Sequence, residues 1–176
     1  GKSVEEFRKP TTMDNYKWKK ISIGLNFMAG IQEDDTLWVK GNSQYGKLGV
    51  NESSENADYP NWTQIGVDRK WKDVSCGKFH MIASDENGDI WTTGTNRPAS
   101  TFTNSLDQTV LGIIDGTQAS IKQIELIKVV TGYKIEKVYA CFNRNYMIDA
   151  IGDIYAFGAY NTNTNLVERK ILDTSN

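Results

Sequence analysis

The residues of this chain that could do chemistry are few, and their spacing decides against most of it. His80 is the single histidine, so any Ser-His-Asp triad or multi-histidine metal site would have to be built around it alone. Ser75, Ser84 and Asp85 stand near it in sequence, but alternation along a strand gives no reason for them to converge as nucleophile and base. A packed or hydrogen-bonded histidine is the expectation. Gly41 to Lys47 satisfies the G-x-x-x-x-G-K spacing of a phosphate-cradling loop up to its last position, where Leu48 replaces the hydroxyl that would hold Mg²⁺. Such a loop runs from a strand into a helix N-terminus, whereas Gly49 and a Ser/Asn/Glu-rich stretch follow here. Glu33, Asp34 and Asp35 lack the fixed oxygen-ligand spacing and terminal Glu of a calcium loop and read as a solvated turn. Cys76 and Cys141 lack C-x-x-C spacing and read as reduced core thiols. With no nucleophile and base, no metal-ligand cluster and no cofactor loop, the chain is expected to be no enzyme and to take no cofactor.

Composition narrows the partners. The 176 residues carry 20 Lys plus Arg against 22 Asp plus Glu, a formal net charge of −2. Sequence-independent nucleic-acid binding needs an excess of basic residues to release counterions, so no nucleic-acid partner is expected. No stretch approaches the roughly 18 to 20 apolar residues of a membrane-spanning helix, and the basic first twenty residues lack the apolar run of a signal peptide. A cytoplasmic or virion-associated chain with no membrane partner is expected. Gly1 in place of Met suggests a processed product or a piece of something longer.

The elements that must position these residues recur along the chain. Trp18 to Gly41, Trp71 to Gly94 and Ile135 to Gly158 align without gaps, at offsets of 53 and 64 residues. Leu37, Ile90 and Ile154 fall in register, followed by Trp38, Trp91 and Tyr155 and then Gly41, Gly94 and Gly158. The eleven extra residues of the second offset lie in the Thr/Ser/Asn-rich stretch around Arg97 to Ser105, a loop composition. Asn87-Gly88 predicts a two-residue type I′ hairpin, with Asp34-Asp35 and Ile151-Gly152 in the corresponding places. Hairpin units of roughly 40 to 50 residues are the signature of propeller blades of about four strands. Ser3 and Glu6 allow at most a short N-terminal helical turn before Pro10.

Ile23-Gly24 and Cys76-Gly77, the Phe27 or His80 that follows, the hairpin ending in Trp38 or Trp91, and then Gly41-Asn42-Ser43-Gln44-Tyr45-Gly46-Lys47-Leu48-Gly49 together resemble the repeat of the regulator of chromosome condensation (RCC1) family. Its hallmark is G-x-N-x-x-G-Q-L-G, from which Ser43 and Lys47 depart. Asn96 and Asn161 follow Gly94 and Gly158, but neither unit shows the Gly-x-Leu-Gly ending, and Cys141 stands where the others have Gly24 and Gly77. Ser84 to Trp91 is also similar to the Asp-box hairpin of sialidase-type propellers, a structural turn remote from catalysis, with Glu86 and Ile90 as departures.

The resemblance implies an all-β fold of three RCC1-like propeller blades, units about 16–60, 61–121 and 122–172 of a single repeat domain 1–176. Family propellers normally have seven blades, so three form part of a larger or incomplete propeller. Leu166 to Leu172 reads as a strand that could open another blade. Trp38, Trp91 and Tyr155 are expected in equivalent buried positions and Trp18 and Trp71 as core anchors, leaving Trp62, Tyr45 and Tyr160 as exposed aromatics. The function implied is a non-enzymatic scaffold for protein–protein interaction, with Asn42, Gln44, Tyr45, Lys47, Trp62, Arg97, Tyr160 and Asn161 as candidate partner-binding residues. The alternative is a structural subunit or fragment of a large assembly, such as a phage virion or tail component, possibly receptor- or glycan-binding; the Asn, Thr and Ile content is compatible with that source. In either case a protein partner or further blades should cover the two end faces, giving an oligomer or part of a larger assembly.

Overall fold

Three times along the chain a short apolar strand is followed by a tight hairpin and two further strands. The computed structural model describes residues 16–51, 56–96, 110–111, 122–130, 132–142, 144–158 and 170–172. Blade 1 comprises β1 (Trp18–Gly24), β2 (Phe27–Gln32), β3 (Leu37–Asn42) and β4 (Asp58–Ile65), antiparallel neighbours in that order. Blade 2 repeats this with β5 (Trp71–Cys76), β6 (His80–Asp85), β7 (Ile90–Thr95) and β8 (Lys122–Val130). Blade 3 follows with β9 (Ile135–Ala140), β10 (Arg144–Asp149), β11 (Ile154–Gly158) and β12 (Lys170–Leu172). Among the described residues the blades thus number three, as the repeat requires.

Their limits differ from the expected units. A break at 60/61 would cut β4, and one at 121/122 would give β8 to the wrong blade, because the fourth strand lies well after the aligned motif. The C-terminal strand is likewise reassigned: Tyr155 pairs with Ile171, so β12 completes blade 3 and opens no other. Residues 1–15 and 97–105, expected to hold a helical turn and a loop, lie outside the described residues.

The hairpin between second and third strands is the same in all three blades, and it is not the predicted type I′ turn. The Gln32, Asp85 and Asp149 N–H groups donate to the carbonyls of Thr36, Asp89 and Asp153 at 3.0, 3.0 and 3.1 Å. The N–H groups of Asp35, Gly88 and Gly152 donate back to Gln32, Asp85 and Asp149. Only those last three turn residues have positive φ, at 65°, 79° and 97°, so each loop has three residues with a single left-handed position at its end. A type I′ turn would need Asn87 in the left-handed region too. In blades 2 and 3 a carboxylate braces this loop: Asp85 Oδ1 accepts from the N–H groups of Asn87 and Asp89, and its Oδ2 from Trp91 Nε1 at 2.9 Å. Asp149 does the same for Ile151, Asp153 and the Tyr155 hydroxyl. The acidic position of the Asp-box pattern falls on Glu86, whereas Asp85, one place earlier, is the residue that braces the turn.

Because their polar atoms reach this turn, Trp38, Trp91 and Tyr155 occupy equivalent positions but are half-buried, not buried. Each is covered by the residue two places before its blade's first strand: Tyr16 lies 5.8 Å from Trp38, Arg69 stacks 3.5 Å above Trp91, and Tyr133 lies 5.0 Å from Tyr155. Trp71, only 1% exposed, is the true anchor.

The core lies between blades rather than within one. Phe27, Ala29, Ile31, Leu37, Val39 and Ile65 on one face of blade 1 pack against Trp71, Val74, Cys76, Met81 and Ala83 of blade 2. On its other face blade 2 offers Ile82 and Ile90 to Ile135, Val138 and Met147 of blade 3. We call these the front face of the earlier blade and the back face of the later one. Deleting a buried large aromatic costs about 3–5 kcal/mol. Trp71→Ala is therefore expected to lose stability in that range in urea unfolding and Trp91→Ala distinctly less; equal losses would contradict the burial difference.

Candidate protein-interaction surface

The hairpin from first to second strand in every blade lies at one end of the blades, and in blades 1 and 3 it carries an exposed apolar side chain. Leu25, Lys78 and Phe142 are repeat equivalents in these three turns, and Leu25 and Phe142 are 43% and 54% exposed. Lys78 Nζ lies 4.5 Å from the Phe142 ring and 5.0 Å from the Phe79 ring, so one ammonium bridges two aromatic faces from adjacent blades. Phe79 in turn meets Tyr45 edge-on at 5.0 Å. The result is a mixed surface of rings with a cation set among them.

The backbone is held so that these turns can be short. A Cβ on Gly24 would stand 2.0 Å from Phe27 Cε1, and one on Gly77 would stand 2.2 Å from His80 Cε1. The side chain three residues on folds over each glycine. Blade 3 has Arg144 at this position, directed over the Tyr146 ring at 5.7 Å, so Cys141 is tolerated there. Cys141 is consequently exposed, which corrects its expected place in the core, while Cys76 is buried and its thiol is pushed up to about 12.

The loop from 42 to 49 supplies the remaining candidates. It forms a single 3-10 turn, Gln44–Gly46, with Tyr45 itself at φ 64°. Asn42 is occupied in shaping it: Oδ1 accepts from the Gln44 N–H at 2.9 Å and from Lys47 Nζ at 3.4 Å, and Nδ2 donates to Asp58 at 2.9 Å. Thr93 Oγ1 of blade 2 donates to the Gly46 carbonyl at 2.8 Å, fastening the loop to the next blade. With Leu48 fully buried, the phosphate-loop spacing is accounted for by a turn between blades.

Two expected contact residues are not available to a partner. Lys47 is 1% exposed, with its ammonium over the Phe27 ring, and burial pushes its pKa down. Trp62 is 8% exposed because it belongs to β4 and packs 4.3 Å from the Trp18 ring. Gln44 and Tyr45 remain partly accessible beside Phe79. Arg97, Tyr160 and Asn161 lie outside the described residues. Sequence reasoning passed over Leu25, Lys78, Phe79 and Phe142, although their shared place in the alignment was a usable signal. It also passed over Val110-Leu111, where the Leu-Gly ending missing from blade 2 reappears beyond the inserted loop. Both residues are buried, and the Val110 carbonyl accepts from Asn145 Nδ2 of blade 3 at 2.8 Å.

His80 closes off the interior of this end. It is fully buried, and Nε2 donates to Asn145 Oδ1 at 2.9 Å. Among the described residues no group of three or more His, Cys, Asp or Glu is placed to hold a metal ion. Burial pushes the imidazole pKa down from 6.5 to about 4, against an upward pull from Asn145. Between those values the unfolded chain takes up a proton here that the folded chain refuses, so stability falls as pH drops through that window, by up to about 3 kcal/mol. Replacing His80 with Phe, the residue blade 1 uses at this position, is expected to flatten the unfolding free energy between pH 6.5 and 4; an unchanged slope would show that His80 does not titrate this way.

Residues 71–97 match the family model of the regulator of chromosome condensation (RCC1) repeat. An RCC1 repeat-containing protein of Dictyostelium discoideum is 27% identical over 143 residues, 80% of this chain and 28% of that protein. The human E3 ubiquitin-protein ligase HERC2 is 25% identical over 69% of this chain and 2% of its own length. The chain thus spans under a third of the first of these relatives and a small fraction of the second. In shape it is similar to Prp20p of Saccharomyces cerevisiae, with a TM-score of 0.64 at 19% identity, over 91% of this chain and 36% of that one. The structure of Prp20p was described together with its binding to Gsp1p and histones.

Proposed function

We propose that this chain, which is built of RCC1-like repeats, is a non-enzymatic propeller scaffold that binds a protein partner at the loop end of its blades. The observation that carries this is the cluster of Lys78, Phe79, Phe142 and Tyr45, contributed by all three blades and partly open to solvent, with the exposed Leu25 in the equivalent turn of blade 1. Aromatic side chains are enriched in protein interfaces, and a lysine ammonium held over ring faces adds a charged contact to them. A segment placing an apolar side chain on Phe142 and Leu25, with a carboxylate toward Lys78, would satisfy this surface. That Prp20p binds proteins supports the class of partner and not its identity. Gln44 and Tyr45 border the cluster and belong to the proposed contact; Arg97, Tyr160 and Asn161 keep the candidate roles the repeat gives them.

The test is affinity isolation of partners with this chain from its source cells, identification by mass spectrometry, and measurement of binding by the purified pair. Phe142→Ser and Lys78→Glu are each expected to weaken binding by roughly tenfold or more, the scale of an interface hot spot. Val67→Ser, on the outer connection before blade 2 and also exposed, should leave it unchanged. Binding indifferent to both loop-end changes would remove this surface from consideration. Robust acceleration of nucleotide exchange across a panel of small GTPases would replace the scaffold reading with a catalytic one.

A further inference from the structure

Between the outer strands of blades 1 and 2 lies a groove of about 350 Å³ to which the loop-end cluster contributes no residue. One wall is the end of β4, Thr63 to Ile65; β4 is the outermost strand of blade 1 and pairs only with β3. The other wall is Gly49 to Asn51, held to blade 2 by the bridge between Val50 and Glu125 of β8. Ile65 on the front face of blade 1 and Trp91 and Leu126 on the back face of blade 2 supply the apolar lining. Both walls are fixed before any ligand arrives. The Gly49 N–H donates to the Gly46 carbonyl at 2.9 Å, and Trp71 Nε1 donates to the carbonyl of Gly66, next after β4, at 3.1 Å. A groove already shaped in this way binds without the cost of ordering its own backbone.

The charges in the groove decide what it can take. Asp68, Arg69 and Glu125 line it. Arg69 is already committed twice: its guanidinium stacks 3.5 Å above the Trp91 ring, and its Nε and Nη2 both donate to the Asp68 carboxylate. The Glu125 carboxylate, exposed on β8, makes no hydrogen bond or ion pair among the described residues. An unpaired acid beside apolar surface attracts a cation, and an anionic ligand would meet it unopposed. The outer edge of β4 presents backbone groups that an extended chain can pair with, leaving side-chain choice to the surfaces around it. We infer that this groove is a second binding site, for an extended segment of a partner protein that adds along β4, sets an apolar side chain against Ile65, Trp91 and Leu126, and turns a lysine or arginine to Glu125. Alternate residues of a strand share a face, so the apolar residue and the cation stand two positions apart in the segment. Because it shares no residue with the loop-end cluster, this site stands or falls independently of that surface.

The test selects short random peptides displayed on phage against the intact chain and measures the enriched ones by titration calorimetry. The enriched peptides are expected to carry an aliphatic or aromatic residue two positions from a lysine or arginine. Glu125→Lys should weaken their binding roughly tenfold or more, since it sets like charges together. The same peptides with that lysine or arginine changed to glutamate should in turn bind the Glu125→Lys chain better than the unaltered one, a reversal that a misfolded variant cannot produce. Thr63→Arg, which puts a cation of the chain's own into the groove, should also weaken the original peptides, while Phe142→Ser at the loop end should leave them unchanged. The inference is overturned if no enriched peptide depends on both Glu125 and Thr63, if those that do are acidic, if the charge reversal fails to restore binding, or if Phe142→Ser abolishes the same binding.

Discussion

The structure depends on how the first strand of each blade satisfies its free edge. That strand pairs on one side only, so its outward N–H groups would be buried without partners when the next blade packs beside it. The preceding blade supplies the acceptors. Ser22 and Ser75 take the amides of Cys76 and Ala140, Asp73 takes that of Val138 at 2.8 Å, and turn carbonyls of Asp35 and Gly88 take those of Trp71 and Ile135. Every one of these bonds joins consecutive blades. Register between blades is thereby fixed by polar groups, while the apolar faces around Trp71, Val74 and Val138 supply the bulk of the burial.

With the backbone held in this way, side chains at equivalent positions are free to differ. Phe27, His80 and Arg144 occupy one place and have no shared chemistry: the first two cover a glycine, and the third leaves room for a cysteine. Tyr16, Arg69 and Tyr133 likewise cover an aromatic residue, by edge contact in blades 1 and 3 and by cation contact in blade 2. The same latitude at Leu25, Lys78 and Phe142 turns three copies of a structural turn into one surface with its own character. Specificity in such a protein resides in what the repeat leaves unconstrained.

The alignment made the architecture legible because the residues that repeat are the ones geometry demands. Gly41, Gly94 and Gly158 all take positive φ, and the aromatic after Leu37, Ile90 and Ile154 always reaches the hairpin. What stayed hidden depended on non-local contacts. Trp62 was expected to be exposed, yet it lies on the outer strand β4, where Pro60 is tolerated because an edge strand leaves N–H positions unpaired. Lys47 looked like a surface lysine until the Phe27 ring and the next blade enclosed it. Asn87-Gly88 suggested a two-residue turn because that dipeptide says nothing of the carboxylate two residues earlier, which organises three turn residues instead. The end faces were foreseeable in outline from the count of blades; which side chains line them was visible only once strand register was known.

Blade 2 shows how such a repeat accommodates length. Asn96 and Val110 are thirteen residues of intervening chain apart, yet the Val110 N–H donates to the Asn96 carbonyl at 3.0 Å and the Leu111 N–H to the Asn96 side chain at 2.9 Å. The excursion therefore leaves and rejoins the blade through one pinched base. Since doubling a closed loop adds only about 0.6 kcal/mol of closure entropy, and the base is secured by its own bonds, this point behaves as a grafting port. Foreign sequence can lengthen there, and be exchanged or lost, without disturbing how the blades stack.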